Sequence, residues 1–83
     1  MPAKRYRFHC TDGHQAVFDL GGHLIGPEIL IRRYAERVAR GMMDSYGRGL
    51  DWSDWIVDVH DADGKRVITL EFSDLQEVPR VAA

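Results

Sequence analysis

Residues 51–72 read Asp-Trp-Ser-Asp-Trp-Ile-Val-Asp-Val-His-Asp-Ala-Asp-Gly-Lys-Arg-Val-Ile-Thr-Leu-Glu-Phe. Two runs of alternating apolar residues flank Asp63-Gly64, a pair that favours a tight hairpin turn because glycine takes positive φ without penalty. A two-residue turn sets Val59 against Ile68, Val57 against Leu70 and Trp55 against Phe72, all on one face. The other face then holds His60 with Val67, Asp58 with Thr69 and Ile56 with Glu71. A three-residue bulged turn slips the pairing by one and sets Val57 against Thr69. Such a slip carries the apolar set to the wrong face, so the two-residue turn is the expectation.

The rest of the chain must supply something for that apolar face to pack on. Residues 5–10 alternate, with Tyr6, Phe8 and Cys10 on one side and Arg5, Arg7 and His9 on the other, the pattern of a half-buried strand. Thr11-Asp12-Gly13-His14 is a turn and residues 15–20 a weaker second strand. A two-residue turn there pairs Phe8 with Val17. A turn with a bulge at Gly13 pairs Phe8 with Ala16 and brings Phe18 inward. The size of Phe18 favours the bulged form. Gly21, Gly22 and Gly26 punctuate a connecting loop whose spacing matches neither a dinucleotide fingerprint nor a phosphate loop.

Pro27 suits the first position of a helix, because its φ is already helical and its missing N–H is not needed there. Ile31, Tyr34, Ala35, Val38, Ala39 and Met42 then recur at three- and four-residue spacing, widened by Leu30, and Gly47 is the natural stop. About 18 residues of helix span roughly 27 Å. After Phe72, residues 73–78 read as a frayed continuation of the last strand. Pro79 ends it, and the domain is drawn as 4–76 with a tail at 77–83.

One apolar helix stripe and two one-faced hairpins give an α+β domain of β-β-α-β-β order. Its form is a four-stranded antiparallel-rich sheet with one long helix packed on one face. The expected core is Tyr6, Phe8, Cys10, Phe18, Leu30, Ile31, Tyr34, Val38, Met42, Trp55, Val57, Val59, Ile68, Leu70 and Phe72. The first strand is the more apolar member of its hairpin, so it belongs in the centre, beside the second hairpin.

Residues 4–76 resemble a family of short, single-domain bacterial proteins common in rhizobium-like alphaproteobacteria and known only as a domain of unknown function. The resemblance rests on Arg5-Tyr6-Arg7-Phe8-His9, on the Asp-Gly turn after it, and above all on the hairpin. There the shared pattern is Asp51…Asp54-Trp55-x-Val57-x-Val59-x-Asp61-x-Asp63-Gly64-x-x-Val67-x-x-Leu70-x-Phe72-x-Asp74. Helices in that family tend to be rich in Ala and Glu. Here Ile29, Leu30, Ile31, Tyr34, Met42 and Met43 make a bulkier set. The resemblance implies a bacterial cytoplasmic protein and brings no activity, cofactor or catalytic residue.

Composition narrows function mainly by exclusion. The net charge is -2, with 45 % hydrophobic and 29 % charged residues, which suits a folded domain. A chain this short buries only about 60 % of its unfolded surface, which favours oligomers. The single cysteine allows no intrachain disulfide and no cysteine-based zinc site. No apolar run reaches the roughly 20 residues needed to span a bilayer, and the first residues carry no signal-peptide pattern. The expected location is the cytoplasm. Of the four histidines only His9 and His60 stand to share a sheet face. The run at Asp61-Ala62-Asp63-Gly64 fails as a calcium loop, because aligning its glycine places Val59 and Leu70 where acidic ligands are required. Asp51, Asp54 and Asp58 near Trp52 and Trp55 lack a nucleophile with a partnered base.

The expectation is therefore a non-enzymatic interaction or regulatory module that self-associates, with no catalytic, metal or cofactor residues and an unknown protein partner. Its surface would use Arg5, Arg7, His9, Ile56, Asp58, His60, Val67 and Thr69 on the open sheet face, where Ile56, Val67 and Val17 are apolar. The alternative is a weak nucleic-acid binder using Lys4, Arg5, Arg7 and the helix arginines. It is disfavoured, because Tyr6 and Phe8 have the wrong parity to stack bases and the helix arginines fall on the opposite side.

Overall fold

A computed structural model describes residues 3–75. The elements run β1 (Lys4–Thr11), β2 (Ala16–Val17), β3 (His23–Ile25), α1 (Ile29–Tyr46), β4 (Ile56–His60) and β5 (Arg66–Glu71), followed by a short 3-10 helix at Phe72–Leu75. The fold is α+β, with one helix packed on an antiparallel sheet. The sheet has five strands rather than four: β2-β1-β4-β5 in spatial order, with β3 also paired to β1. As expected, β1 is central and lies beside the second hairpin.

The central register follows the apolar parity. Phe8 pairs with Val59 and Cys10 with Val57. Val57 pairs with Leu70 and Val59 with Ile68, as the apolar alternation requires. The turn between them differs. His60 pairs with Arg66, and a bulge intervenes next to Val59, so Val67 is the surplus residue. The Asp61 amide donates to the Lys65 carbonyl and the Gly64 amide to the Asp61 carbonyl, which makes a three-residue loop with Gly64 at φ +82°. A two-residue turn would also demand positive φ at Asp63, a cost of roughly 1–2 kcal/mol for a residue with a Cβ. The Asp61 carboxylate instead accepts the Asp63 and Lys65 amides at 2.9 Å each. The bulge at Val67 absorbs the extra residue and keeps the core in register.

The first hairpin departs further. Cys10 pairs with Val17 and Thr11 with Ala16, which is neither expected register. Thr11 donates to the Gln15 carbonyl at 2.6 Å, and the Asp12 carboxylate accepts the His14 and Gln15 amides. These bonds hold a loop of residues 12–15. The longer loop turns Phe18 away from the core, where it is 64 % exposed.

The chain then returns to the same edge of β1 as β3, pairing Lys4 with Ile25 and Tyr6 with His23. Asp19 fills the gap between β2 and β3. Its carboxylate accepts the Phe8 amide at 3.1 Å and the Gly22 amide at 3.0 Å. Gly22 has φ +68°, and a Cβ there would lie 2.9 Å from the Tyr6 carbonyl oxygen. Only glycine lets the chain approach β1 this closely.

The helix begins just after Pro27 and stops where Gly47 donates its amide to the Met43 carbonyl at 2.9 Å. Ile31, Ala35, Ala39 and Met43 are its buried positions, with Tyr34, Val38 and Met42 partly buried against the core. Leu30, expected inside, is exposed. Ile25, Ala35, Ala39, Met43 and Trp52 complete the core instead. Trp52 stacks on Phe72 with ring centroids 5.5 Å apart and donates its indole N–H to the Gly47 carbonyl at 2.9 Å. It thereby joins the end of α1 to the end of β5. Past Glu71 the chain coils into the 3-10 helix rather than fraying as strand. The expectations for residues 76–83, including the tail, lie outside the described residues.

Candidate interaction surface

Odd-numbered residues of β1 point away from α1, and the ladder fixes their neighbours. Arg7 lies opposite His60, His9 opposite Asp58 and Thr11 opposite Ile56. On the far side Asp58 faces Thr69 and Ile56 faces Glu71. Six of the expected surface residues, Arg7, His9, Ile56, Asp58, His60 and Thr69, therefore share one sheet face. Arg5 lies at its edge, where its guanidinium donates to the Gly21 carbonyl at 2.6 Å. Val67 does not join them. The bulge places it in a groove beside α1, with Ile29, Arg32 and Ile68. Val17, opposite Cys10, is likewise not on the open face. Ile56 is thus the one of the three expected apolar residues on that face.

At the centre of the face Arg66 reaches across and donates two hydrogen bonds to Asp58, at 2.9 and 3.2 Å. His60 Nε2 lies 3.1 Å from Asp58 Oδ2, near enough to sense its charge but misaligned for a good hydrogen bond. Burial works against ionising Asp58. The Arg66 hydrogen bonds and the adjacent His60 outweigh it and hold the carboxyl below the usual range.

His9 and His60 meet edge-to-face with ring centroids 5.4 Å apart, and Phe18 packs on the other side of His9 at 5.3 Å. His9 Nδ1 accepts the Asp19 amide at 3.0 Å, so in the neutral ring the proton sits on Nε2. Burial, then His60, push its pKa down; Asp19 and Asp58 oppose this, and Arg7 adds to it.

Sequence reasoning missed Phe18, Asp19 and Arg66 in this cluster. Phe18 was hidden by the loop length, which the Thr11 and Asp12 hydrogen bonds set. Arg66 was hidden by the bulge. Among the described residues no group of three or more His, Cys, Asp or Glu side chains is placed to hold a metal ion, and no helix is long and apolar enough to cross a membrane.

Two further surfaces flank the sheet. A groove of about 440 Å³ runs between the start of α1 and β5, lined by Ile29, Val67 and Ile68, by the acidic Glu28 and Glu36 and by the basic Arg32 and Arg33. β5 itself is an edge strand, paired only to β4 among the described residues. A second groove, of about 500 Å³, lies at the other end of the helix.

An α1-covered antiparallel sheet with a polar open face and an unpaired edge defines a small α+β domain. Its sequence places it within a known group. Residues 5–73 match the family described as Domain of unknown function (DUF6894), and the chain belongs to that family. No curated protein matches the chain, and no solved structure does.

Proposed function

We propose that this protein is a non-enzymatic interaction module that self-associates, and that β5 is the strand through which two copies join. The observation that carries this reading is the self-complementarity of the β5 edge and the groove beside it. Antiparallel pairing about Thr69 sets Ile68 against Leu70 of a second copy on the helix side. On the open side it sets Glu71 against the bulge that carries Arg66. The two helices then lie side by side and antiparallel. Ile29, 78 % exposed, and Val67 then lie along the seam and are covered by the second copy, and the two acidic and two basic groove residues find opposite charges there. Edge strands with free backbone groups are the usual route to such pairing. An interface of this kind adds apolar burial that a domain this small otherwise lacks.

Sedimentation equilibrium tests the reading. Wild type is expected to form a dimer whose population rises with concentration. Ile29→Lys with Val67→Lys, both at exposed positions, is expected to give a folded monomer by circular dichroism. Glu71→Arg is expected to weaken the dimer by opposing Arg66 of the second copy. A wild-type chain that stays strictly monomeric at high concentration removes self-association.

The nucleic-acid alternative has less to support it. Arg7 is accompanied on the open face by Asp58 and Glu71, Arg5 is tied to Gly21, and Arg32 and Arg33 line a groove on the helix side with Glu28 and Glu36. A gel shift at low salt that fades as salt rises would revive it. The hairpin resemblance also supports a bacterial, cytoplasmic setting.

A further inference from the structure

The second groove shares no lining residue with the groove beside β5 and does not depend on self-association. It forms where the β1–β2 turn, the last turns of α1 and the loop at 47–55 converge. Its apolar surface comes from Met42, Tyr46, Leu50 and Trp55, with Tyr46 and Leu50 standing more than half exposed. Two carboxylates from different loops, Asp12 and Asp51, lie in the same lining, and no Lys, Arg or His does.

Both carboxylates are ionised at neutral pH. Asp12 is held below the usual range by the Gln15 and His14 amides, and Asp51 by the Ser53 hydroxyl and amide. The backbone amides go to Oδ1 in each case, and both carboxylates keep acceptor capacity for a ligand, since an ionised carboxylate offers about four lone-pair sites. The end of α1 brings partial negative charge to this side, offset in part by Arg48, which bonds Asp44 at 2.6 Å.

We propose that this groove binds the Arg or Lys side chain of an extended basic segment from a partner protein. The alkyl stem lies on Met42 and Leu50, and the cationic head sits between Asp12 and Asp51 against the ring faces of Tyr46 and Trp55. The commitment follows from charge complementarity. An apolar trough with carboxylates at its rim matches a side chain that is apolar along its length and cationic at its tip. The groove opens to solvent, which suits a side chain presented by a peptide.

The test is a titration of the full chain with a short arginine-containing peptide, read by tryptophan fluorescence and by NMR shifts. Shifts are expected at Tyr46, Leu50 and Trp55, weakening as salt rises. The same peptide with citrulline in place of arginine is expected not to bind. Asp12→Asn with Asp51→Asn keeps the Oδ1 acceptors that hold both turns, so the fold is retained, and it is expected to weaken binding about tenfold or more. Equal binding of the citrulline peptide, or no shifts at groove residues, overturns the proposal. So does a change in sedimentation of the Asn variant without loss of peptide binding, which would make the groove a contact between copies.

Discussion

His9 accepts a backbone proton on Nδ1, and an imidazole that accepts there cannot be protonated there without losing the bond. Protonation would turn Nδ1–H against the Asp19 N–H and loosen the residue that bridges β2 and β3. Burial and His60 already lower the His9 pKa, so the folded state holds fewer protons than the unfolded chain near pH 6.5. His9 therefore contributes stability that is full above the unfolded pKa and is lost as pH falls through the folded value. NMR titration should find His9 below the ordinary histidine range, with protection of the Asp19 amide falling in the same window. A normal or raised His9 pKa would show that the Asp19 bond does not constrain the ring. Two glycines give a contrasting pair. Gly22→Ala forces a Cβ against the Tyr6 carbonyl at positive φ and should cost about 1–3 kcal/mol. Gly41→Ala, in the helix with nothing within 4 Å of its new Cβ, should add roughly 1 kcal/mol. Thermal melts of both variants decide the pair.

Among the elements, Trp52 has the widest reach. It stacks on Phe72, touches Trp55 edge-on at 5.5 Å and bonds the carbonyl of the helix-capping glycine. Trp52→Ala should cost about 3–5 kcal/mol, while Trp52→Phe should recover part of the stack but not the bond to Gly47. Urea unfolding of the two variants separates the contributions. The Asp51 carboxylate accepts the Ser53 amide at 3.0 Å and shapes the turn that carries the indole. Elements with long regular patterns were legible: the α1 stripe and the Val57–Leu70 and Val59–Ile68 pairs follow from parity and period. β3 was not legible, because three residues carry no period and their place is set by Asp19 and Gly22. Phe18 was misplaced because loop length depends on side-chain hydrogen bonds that residue size does not report.

For the molecule as a whole, Cys10 offers a clean reporter. It sits on the central strand, only 2 % exposed, and burial pushes its thiol up to about 11. Native chain should resist thiol reagents, and labelling should occur only as fast as the entire sheet opens. Labelling in the presence of denaturant should therefore track global unfolding; rapid labelling of native chain would show that the β2 edge opens independently. The part of the core carried by β1, β4 and β5 was legible from sequence at this scale, and so was the face of the open-sheet cluster, whereas Ile25, Met43 and Trp52 were not expected inside. The Asp58–Arg66 link and the two grooves were not, since they arise where separate elements meet.

The surplus residue at Val67 has an implication for how this domain tolerates change in length. Between Val59 and Ile68 the same residues can close the hairpin in two ways. One uses the three-residue loop and the bulge. The other uses a two-residue turn with Val67 opposite His60. Both leave Val57 against Leu70. The tip thus carries one residue of slack, like an expansion joint. A chain lacking Val67 would keep its loop, its Asp61 cap and its core pairing while straightening the strand. Insertions and deletions of a single residue in this stretch are expected to end at the joint and spare the sheet behind it.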